Sequence, residues 1–250
     1  MIEIKNISVK YDTRPVLSEL SLNIEKGEIL SIVGVNGCGK TTLLKTAVGI
    51  ISGCGGEIFI DGISKNELKG KSLAKKIAYL PQGQRTPDMS VYRLVLHGRF
   101  PHMDYPRRYS KMDKEIAFSA MEKMGIIDLK DKNISELSGG MKQNAYIAMA
   151  LAQETDYIFL DEPTTYLDVS HQIELMKSLR ELKNLGKGVA LVMHDLPMAF
   201  SFSDKIAVLD GGNIAIKDTP LAVCKSGIVE KLFKVRLTPS PDGKNYTYEY

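Results

Sequence analysis

Apolar residues alternate with polar ones from the start of the chain. Ile2, Ile4, Ile7 and Val9 recur roughly every second residue, and Leu20, Leu22 and Ile24 do so strictly. That spacing puts one face on a core and the other in water, as in half-buried antiparallel strands. The theme returns after Gly55-Gly56 in Ile58 and Ile60 and closes at an Asp61-Gly62 turn. Continuous apolar runs at 28–33 and 77–80 read as further strands, the second ended by Pro81. From 87 to 152 strand signals vanish and helical spacing takes over, notably at Ile116, Ala120, Met121 and Met124, around a loop at 99–111 rich in Pro, Arg and Tyr. Beyond it, strands at 157–160, 189–193 and 205–209 are separated by helical stretches at 170–185 and 196–203. Strands spaced by helices imply a parallel sheet. Gly211-Gly212 turns into a short strand around 214–216, and two short helices are expected after Thr219. The stretch 239–250, with its Pro-Asp-Gly turn and alternating tyrosines, is expected to add a small hairpin. The expected fold class is α/β: a mixed, mainly parallel core sheet, an antiparallel β-subdomain and an inserted α-helical subdomain.

Composition narrows the partners rather than the fold. At 250 residues the chain can bury a sizeable core. It is 44% hydrophobic and 25% charged, as ordinary globular proteins are. A net charge of only +3 gives no argument for nucleic acid, and none is expected as a partner. Cys38, Cys54 and Cys224 have neither metal-ligand spacing nor a framework of pairs, which fits a reducing cytosol. The N-terminus lacks the apolar centre of a signal peptide, and no apolar run approaches the ~20 residues of a membrane span. A soluble protein is expected, reaching a membrane only through a partner.

Three stretches carry chemistry. The first is Gly34-Val35-Asn36-Gly37-Cys38-Gly39-Lys40-Thr41-Thr42, a G-x-x-x-x-G-K-[ST] loop between the strand at 28–33 and a helix at 41–48. In that strand–loop–helix setting the glycines let backbone N–H groups turn inward around phosphate, and the helix start adds free donors and the positive end of its dipole. Lys40 should reach the β- and γ-phosphates, and the Thr41 hydroxyl should hold Mg²⁺. Kinases, GTPases and motor ATPases share this loop. The second stretch is the strand 157–160 followed by Asp161 and Glu162. It delivers two carboxylates to the sheet edge where ligands bind in open α/β sheets. The first can hold Mg²⁺ and the second can orient and deprotonate a water aimed at the γ-phosphate, although a strand can also simply end in solvated acids. The third is Leu137-Ser138-Gly139-Gly140-Met141-Lys142-Gln143, which opens a helix running to about 152. It offers free N–H donors and a hydroxyl to an anion, or a plain serine cap.

In this order the three motifs resemble those of the ATP-binding cassette (ABC) family, and the resemblance covers nearly the whole chain. It implies a P-loop NTPase that binds and hydrolyses ATP with Mg²⁺, with an ATPase domain at 1–238, a helical subdomain inserted at about 87–152, and a short extension at 239–250. Tyr11 stands where relatives stack an aromatic on adenine. Gln82 resembles the Q-loop glutamine, Thr165-Tyr166-Leu167-Asp168 the D-loop, and His194 the switch histidine. The resemblance assigns Mg²⁺ support to Thr41, Gln82 and Asp161, the general base to Glu162, γ-phosphate or water positioning to His194, and coupling between sites to Asp168. It also implies a head-to-tail homodimer, in which each ATP lies on one subunit's phosphate loop under the partner's Ser138, Gly139 and Gly140. Met141, Lys142 and Asn144 depart from the family's usual Gln and Arg residues, with Met141 expected to tune affinity.

Two stretches narrow the branch. Residues 162–172 and His97-Gly98-Arg99-Phe100-Pro101-His102 resemble ATPases of importers for iron–siderophore complexes, haem and vitamin B12. That implies a motor at the cytoplasmic face of the membrane, docked to a permease through a groove lined by 82–102, with an extracytoplasmic binding protein delivering cargo. His97, His102 and His171 lack metal-site spacing and read as surface or packing residues. A soluble cassette ATPase regulating a cytosolic assembly, such as iron–sulfur scaffold building, is the alternative. A small-molecule kinase would have no use for 137–143.

Overall fold

The structure is a computed structural model and describes residues 1–250 except Lys69, Gln84, Arg85, Tyr166 and Tyr250. Its elements are β1 (Ile2–Tyr11), β2 (Arg14–Ile24), β3 (Ile29–Val33), α1 (Lys40–Ala47), β4 (Gly55–Ile60), β5 (Ile63–Ser64), α2 (Lys71–Ala74) and β6 (Ile77–Leu80). Three helices follow, α3 (Val91–His97), α4 (Lys111–Lys123) and α5 (Gly139–Ala152). Then come β7 (Tyr157–Asp161), α6 (Val169–Asn184), β8 (Gly188–Val192), α7 (Leu196–Phe202), β9 (Lys205–Asp210) and β10 (Asn213–Asp218). The chain ends with α8 (Pro220–Lys225), α9 (Ile228–Phe233), β11 (Arg236–Pro239) and β12 (Tyr246–Glu249).

Among the described residues, six strands form the core sheet in the order β10-β9-β3-β8-β7-β6. β3 runs parallel to β8 and β9, and β7 runs parallel to β6 and β8. Only β10, paired with β9, is antiparallel. Every residue of β3, β7 and β8 is buried, because both faces of the sheet are covered. Leu30, Ile32, Phe159 and Ala190 face a cluster built with Leu43 and Leu44 of α1 and the inner face of a second sheet. That second sheet has the order β2-β1-β4-β5 and is antiparallel throughout. Its inward residues include Ile2, Ile4, Ile7, Leu20, Leu22, Ile24, Ile58 and Ile60, so the alternation in the sequence is the alternation of a half-buried sheet. Ile29, Val33, Ile158 and Leu160 face the opposite cluster, with α6, α7 and the helices of 91–152.

α3, α4 and α5 pack on one another through Val91, Leu94, Val95, Ala117, Ala120, Met121, Ala145 and Ala148. Met124 joins the same cluster just after α4, so the apolar periodicity read at 116–124 marks a buried helix face. α4 begins at a reciprocal cap, with Ser110 accepting from Asp113 N and Asp113 from Ser110 N. The terminal hairpin starts at Arg236, before the Pro239 at which sequence begins it. Only Leu237 of that strand is buried, so three residues showed too little alternation to be read. The hairpin leans on α7 through Tyr246, edge-on to Phe200 at 5.4 Å between ring centroids. No helix among the described residues is long and apolar enough to cross a membrane.

β3, β6, β7 and β8 are parallel, so their C-terminal ends share one edge of the sheet. That edge receives the loop before Lys40, Gln82, the Asp161–Glu162 pair and His194.

Candidate active site

Residues 34–39 leave β3 and enter α1 through Gly39, whose φ of 107° is left-handed and whose position offers no side-chain cap to the helix. The first N–H groups of α1 therefore remain free for an anion. A Cβ on Gly39 would stand 2.7 Å from Leu17 Cδ2, so the loop lies against β2 as closely as a glycine permits. Lys40 is buried, and its ammonium donates to the carbonyls of Gly34 at 2.8 Å and Val35 at 3.1 Å. The loop's own oxygens thus hold the cation in place.

Thr41 donates its hydroxyl to Asp161 Oδ1 at 2.9 Å, and the Tyr79 hydroxyl donates to Oδ2 at 3.2 Å. Asp161 is 2% exposed. Burial pushes its carboxyl up from the ordinary value; the Thr41 and Tyr79 hydrogen bonds oppose this, the neighbouring Glu162 adds to it and Lys45 opposes it. Burial and the same carboxylate also push the Tyr79 phenol up, so Tyr79 stays a donor. A buried carboxylate with a hydroxyl beside it is a hard-oxygen donor pair short of positive charge, which suits Mg²⁺. Among the described residues no three His, Cys, Asp or Glu side chains cluster as a metal site. A cation here would take most of its ligands from phosphate and water, as Mg²⁺ ordinarily does.

Glu162 sits at φ 51°, left-handed for a residue with a Cβ, which costs about 1–2 kcal/mol. Its Oε1 lies 2.5 Å from His194 Nε2, and its Oε2 accepts from Gln82 Nε2 and, at 3.3 Å, from Thr165 Oγ1. Both carboxylate oxygens are therefore engaged by side chains from three different segments.

Tyr11, Asn36, Gly37, Cys38, Gly39, Lys40, Thr41, Thr42, Gln82, Glu162 and His194 all line one open cleft of about 990 Å³. Tyr11 is half exposed, with its hydroxyl 3.5 Å from Thr42 Oγ1. Gly34 stands at the base of the loop, where a Cβ would meet Leu209 O at 2.4 Å. The sequence reading missed part of the wall, namely Arg14, Pro15, Val16, Ser18, Gly211 and Gly212. Ser18 N donates to Gly212 O at 3.0 Å, joining the β1–β2 hairpin to the turn before β10. The Gly-Gly pair was visible only as a turn, since its neighbour is nearly two hundred residues away in sequence.

Ser138, Gly139, Gly140 and Asp168 do not line this cleft. Ser138 caps α5, accepting from Met141 N at 3.4 Å, and Ser138, Gly139 and Met141 are exposed. Gly139 instead borders a smaller cavity of about 280 Å³, shared with Gln82, Glu162 and Lys142. Asp168 caps α6 and takes hydrogen bonds from the backbone N–H of His171, the Ser170 hydroxyl and the His171 ring, which hold its carboxyl down at about 2. Tyr166 of the expected D-loop, Gln84 and Arg85 of the expected docking groove, and Tyr250 of the hairpin lie outside the described residues.

The arrangement resembles known proteins along its whole length. The family model described as "ABC transporter" matches residues 17–165, more than half of the chain. The petrobactin import ATP-binding protein FpuD of Bacillus anthracis is 36% identical over 96% of this chain and 89% of its own. The probable siderophore transport system ATP-binding protein YusV of Bacillus subtilis (strain 168) is 37% identical over 96% and 88%. Among solved structures, a putative metal-chelate type ABC transporter in an inward-facing conformation superposes with a TM-score of 0.84 at 25% identity, covering 100% of this chain and 97% of that one. A dimeric bacterial ABC transporter cassette, MJ0796, superposes with a TM-score of 0.75 at 28% identity, covering 88% and 99%. The chain belongs to the ABC transporter family, as one of its ATP-binding proteins.

Proposed function

We propose that this chain is the ATP-hydrolysing subunit of an importer that moves iron–siderophore or a related metal chelate, such as haem or cobalamin, through a membrane permease. The observation that carries the reading is the meeting, at one sheet edge, of the Lys40–Thr41 loop with Asp161, Glu162, Gln82 and His194. The names of the relatives at 36% and 37% identity, one of petrobactin import and one of a siderophore transport system, support the cargo class and make a soluble scaffold ATPase the weaker reading.

The roles follow from the chemistry of each group. Lys40 and the amides of the loop neutralise phosphate charge, with Asn36, Gly37, Cys38, Gly39 and Thr42 lining the cradle. Thr41 and Asp161 would hold Mg²⁺, with Gln82 at hand, and the ion would supply neutralisation of phosphate charge. Glu162 takes the proton of the attacking water. It does so at whichever oxygen Gln82 or His194 releases. His194 then orients the water or the γ-phosphate. Tyr11 stacks on the base, a contact worth ~1–3 kcal/mol in nucleic-acid systems. Ser138, Gly139 and Gly140 cap the nucleotide of a second copy in a head-to-tail homodimer, and Asp168 couples the two sites. The exposure of Ser138 and Gly139 outside their own cleft supports that division of labour. Loss of the γ-phosphate removes what both halves grip, and the pair opens.

On this reading 1–238 is the ATPase domain, 87–152 its inserted helical part and 239–250 an extension. The subunit is peripheral, held at the cytoplasmic face by its permease, with an extracytoplasmic binding protein feeding that permease. Affinity purification of the tagged chain from detergent-solubilised membranes tests this. A polytopic permease should co-purify and chelate uptake should depend on Lys40. Recovery of the chain only from the cytosol, with no polytopic partner, overturns the importer in favour of the soluble ATPase.

A further inference from the structure

His171 is absorbed by none of these roles, yet its ring stands between two of the motifs. Its Nδ1 is 2.8 Å from Asp168 Oδ1, the oxygen that also accepts from His171 N at 3.0 Å and Ser170 Oγ at 2.7 Å. The other edge of the ring lies on Gly140. A Cβ there would stand 2.2 Å from His171 Cδ2, 2.6 Å from Cγ and 2.9 Å from Nε2. Gly140 is buried while Ser138, Gly139 and Met141 on either side are exposed. Next in the chain, Gln172 donates to Leu167 O at 2.9 Å and Thr164 O at 3.2 Å, pinning the segment that leads to Asp168. Capping α6 explains the Asp168 bonds but requires neither a ring nor a glycine across from it.

We propose that His171 is a positioning residue for nucleotide-driven pairing: its ring fixes the first turn of α5 to Asp168, so the cap offered to a partner's nucleotide and the residue that couples the two sites move as one body. This rests on the reading that two copies clasp ATP between them.

The test uses the full chain carrying Glu162→Gln, which should bind ATP and stay paired, with dimer followed by sedimentation as ATP is raised. Adding His171→Ala should raise the ATP needed for half-maximal pairing by about 10-fold or more, a coupling of usual size. ATP binding to dilute monomers should stay unchanged, because His171 lies outside the cleft with Lys40. His171→Asn places an amide nitrogen where Nδ1 stood and an amide oxygen near the Cδ2 position, and should restore pairing to within about 3-fold of the parent. Melting temperatures identify any variant that has failed to fold. If His171→Ala pairs at the parent's ATP concentration, or a folded His171→Asn pairs no better than His171→Ala, the positioning role is overturned. If the Glu162→Gln parent itself never pairs, the clasped-dimer reading falls first.

Discussion

The buried carboxylate of Asp161 sets a local conflict that one substitution exposes. Burial raises its proton affinity in the folded chain, so it favours the fold at low pH and opposes it once pH climbs past the raised value. Asp161→Asn removes that opposition and keeps an acceptor for one of the two hydroxyls of Thr41 and Tyr79, while the other can turn to accept from the new amide nitrogen. At about pH 7, above the ordinary carboxylate range, nucleotide-free Asp161→Asn should therefore melt no lower than the wild type. Its Mg²⁺-dependent turnover should fall about 100-fold or more. A melting-temperature loss of several degrees would show that the charge is compensated after all. The groups proposed to carry the chemistry stand out in the sequence because Gly34 to Lys40, and Asp161 with Glu162, are contiguous. What holds them was not. Tyr79 and Thr165 touch these carboxylates only through pairing of β6 with β7 and the bend after it, and nothing near either residue in sequence announces that.

The stretch from His97 to His102 reads from sequence as a mark of the importer branch, and the structure gives it a mechanical role. Arg99 is buried and donates through Nε to Asp113 at 2.9 Å and through Nη1 to Glu154 and Ala152 O, each at 2.7 Å. His102 Nε2 lies 2.9 Å from Gln153 O, and a Cβ on Gly98 would collide with Met149 O at 2.1 Å. Every one of these contacts except that to Asp113 falls on the last turn of α5 or the two residues just after it, on the helix whose other end follows Ser138. The motif braces α5 against α3 and α4. Arg99→Ala leaves Asp113 with only its Ser110 partners and the Ala152 carbonyl without its guanidinium, and should cost about 3 kcal/mol, read as a lowered urea midpoint. Arg99→Lys should recover little of it, because a single ammonium cannot serve three acceptors in the guanidinium's plane. Periodicity marked a helical stretch here and the Ser138 motif the start of α5, yet neither carries information on which helix end a distant loop clamps.

The two sheets are tied together at Asp61, just past the end of β4. Burial pushes its carboxyl up, but the Tyr157 hydroxyl from β7, the N-terminal ammonium and Lys26 outweigh this and hold it below the ordinary value of 3.8. A carboxyl held down in the fold contributes stability that is full above 3.8 and is lost as pH falls through the folded value. Wild-type stability should therefore drop with acid below about pH 4, and Asp61→Asn should be weaker at neutral pH with a flatter acid limb. An identical acid limb in both proteins would remove Asp61 from the account. The antiparallel sheet and the helical insertion were readable from repeating periods, and the core sheet from continuous apolar runs spaced by helical stretches. The proposed division of one nucleotide site between two copies has no trace in period or composition, and rests on the family resemblance that the order of the motifs carries.

Specific ATPase activity measured against protein concentration, for the wild type and Ser138→Arg, decides whether two copies must clasp the nucleotide. Wild-type activity per molecule should climb from near zero in dilute solution to a plateau, while Ser138→Arg stays near zero throughout. Constant activity per molecule at every dilution, with Ser138→Arg turning over at the wild-type rate, would contradict the shared site.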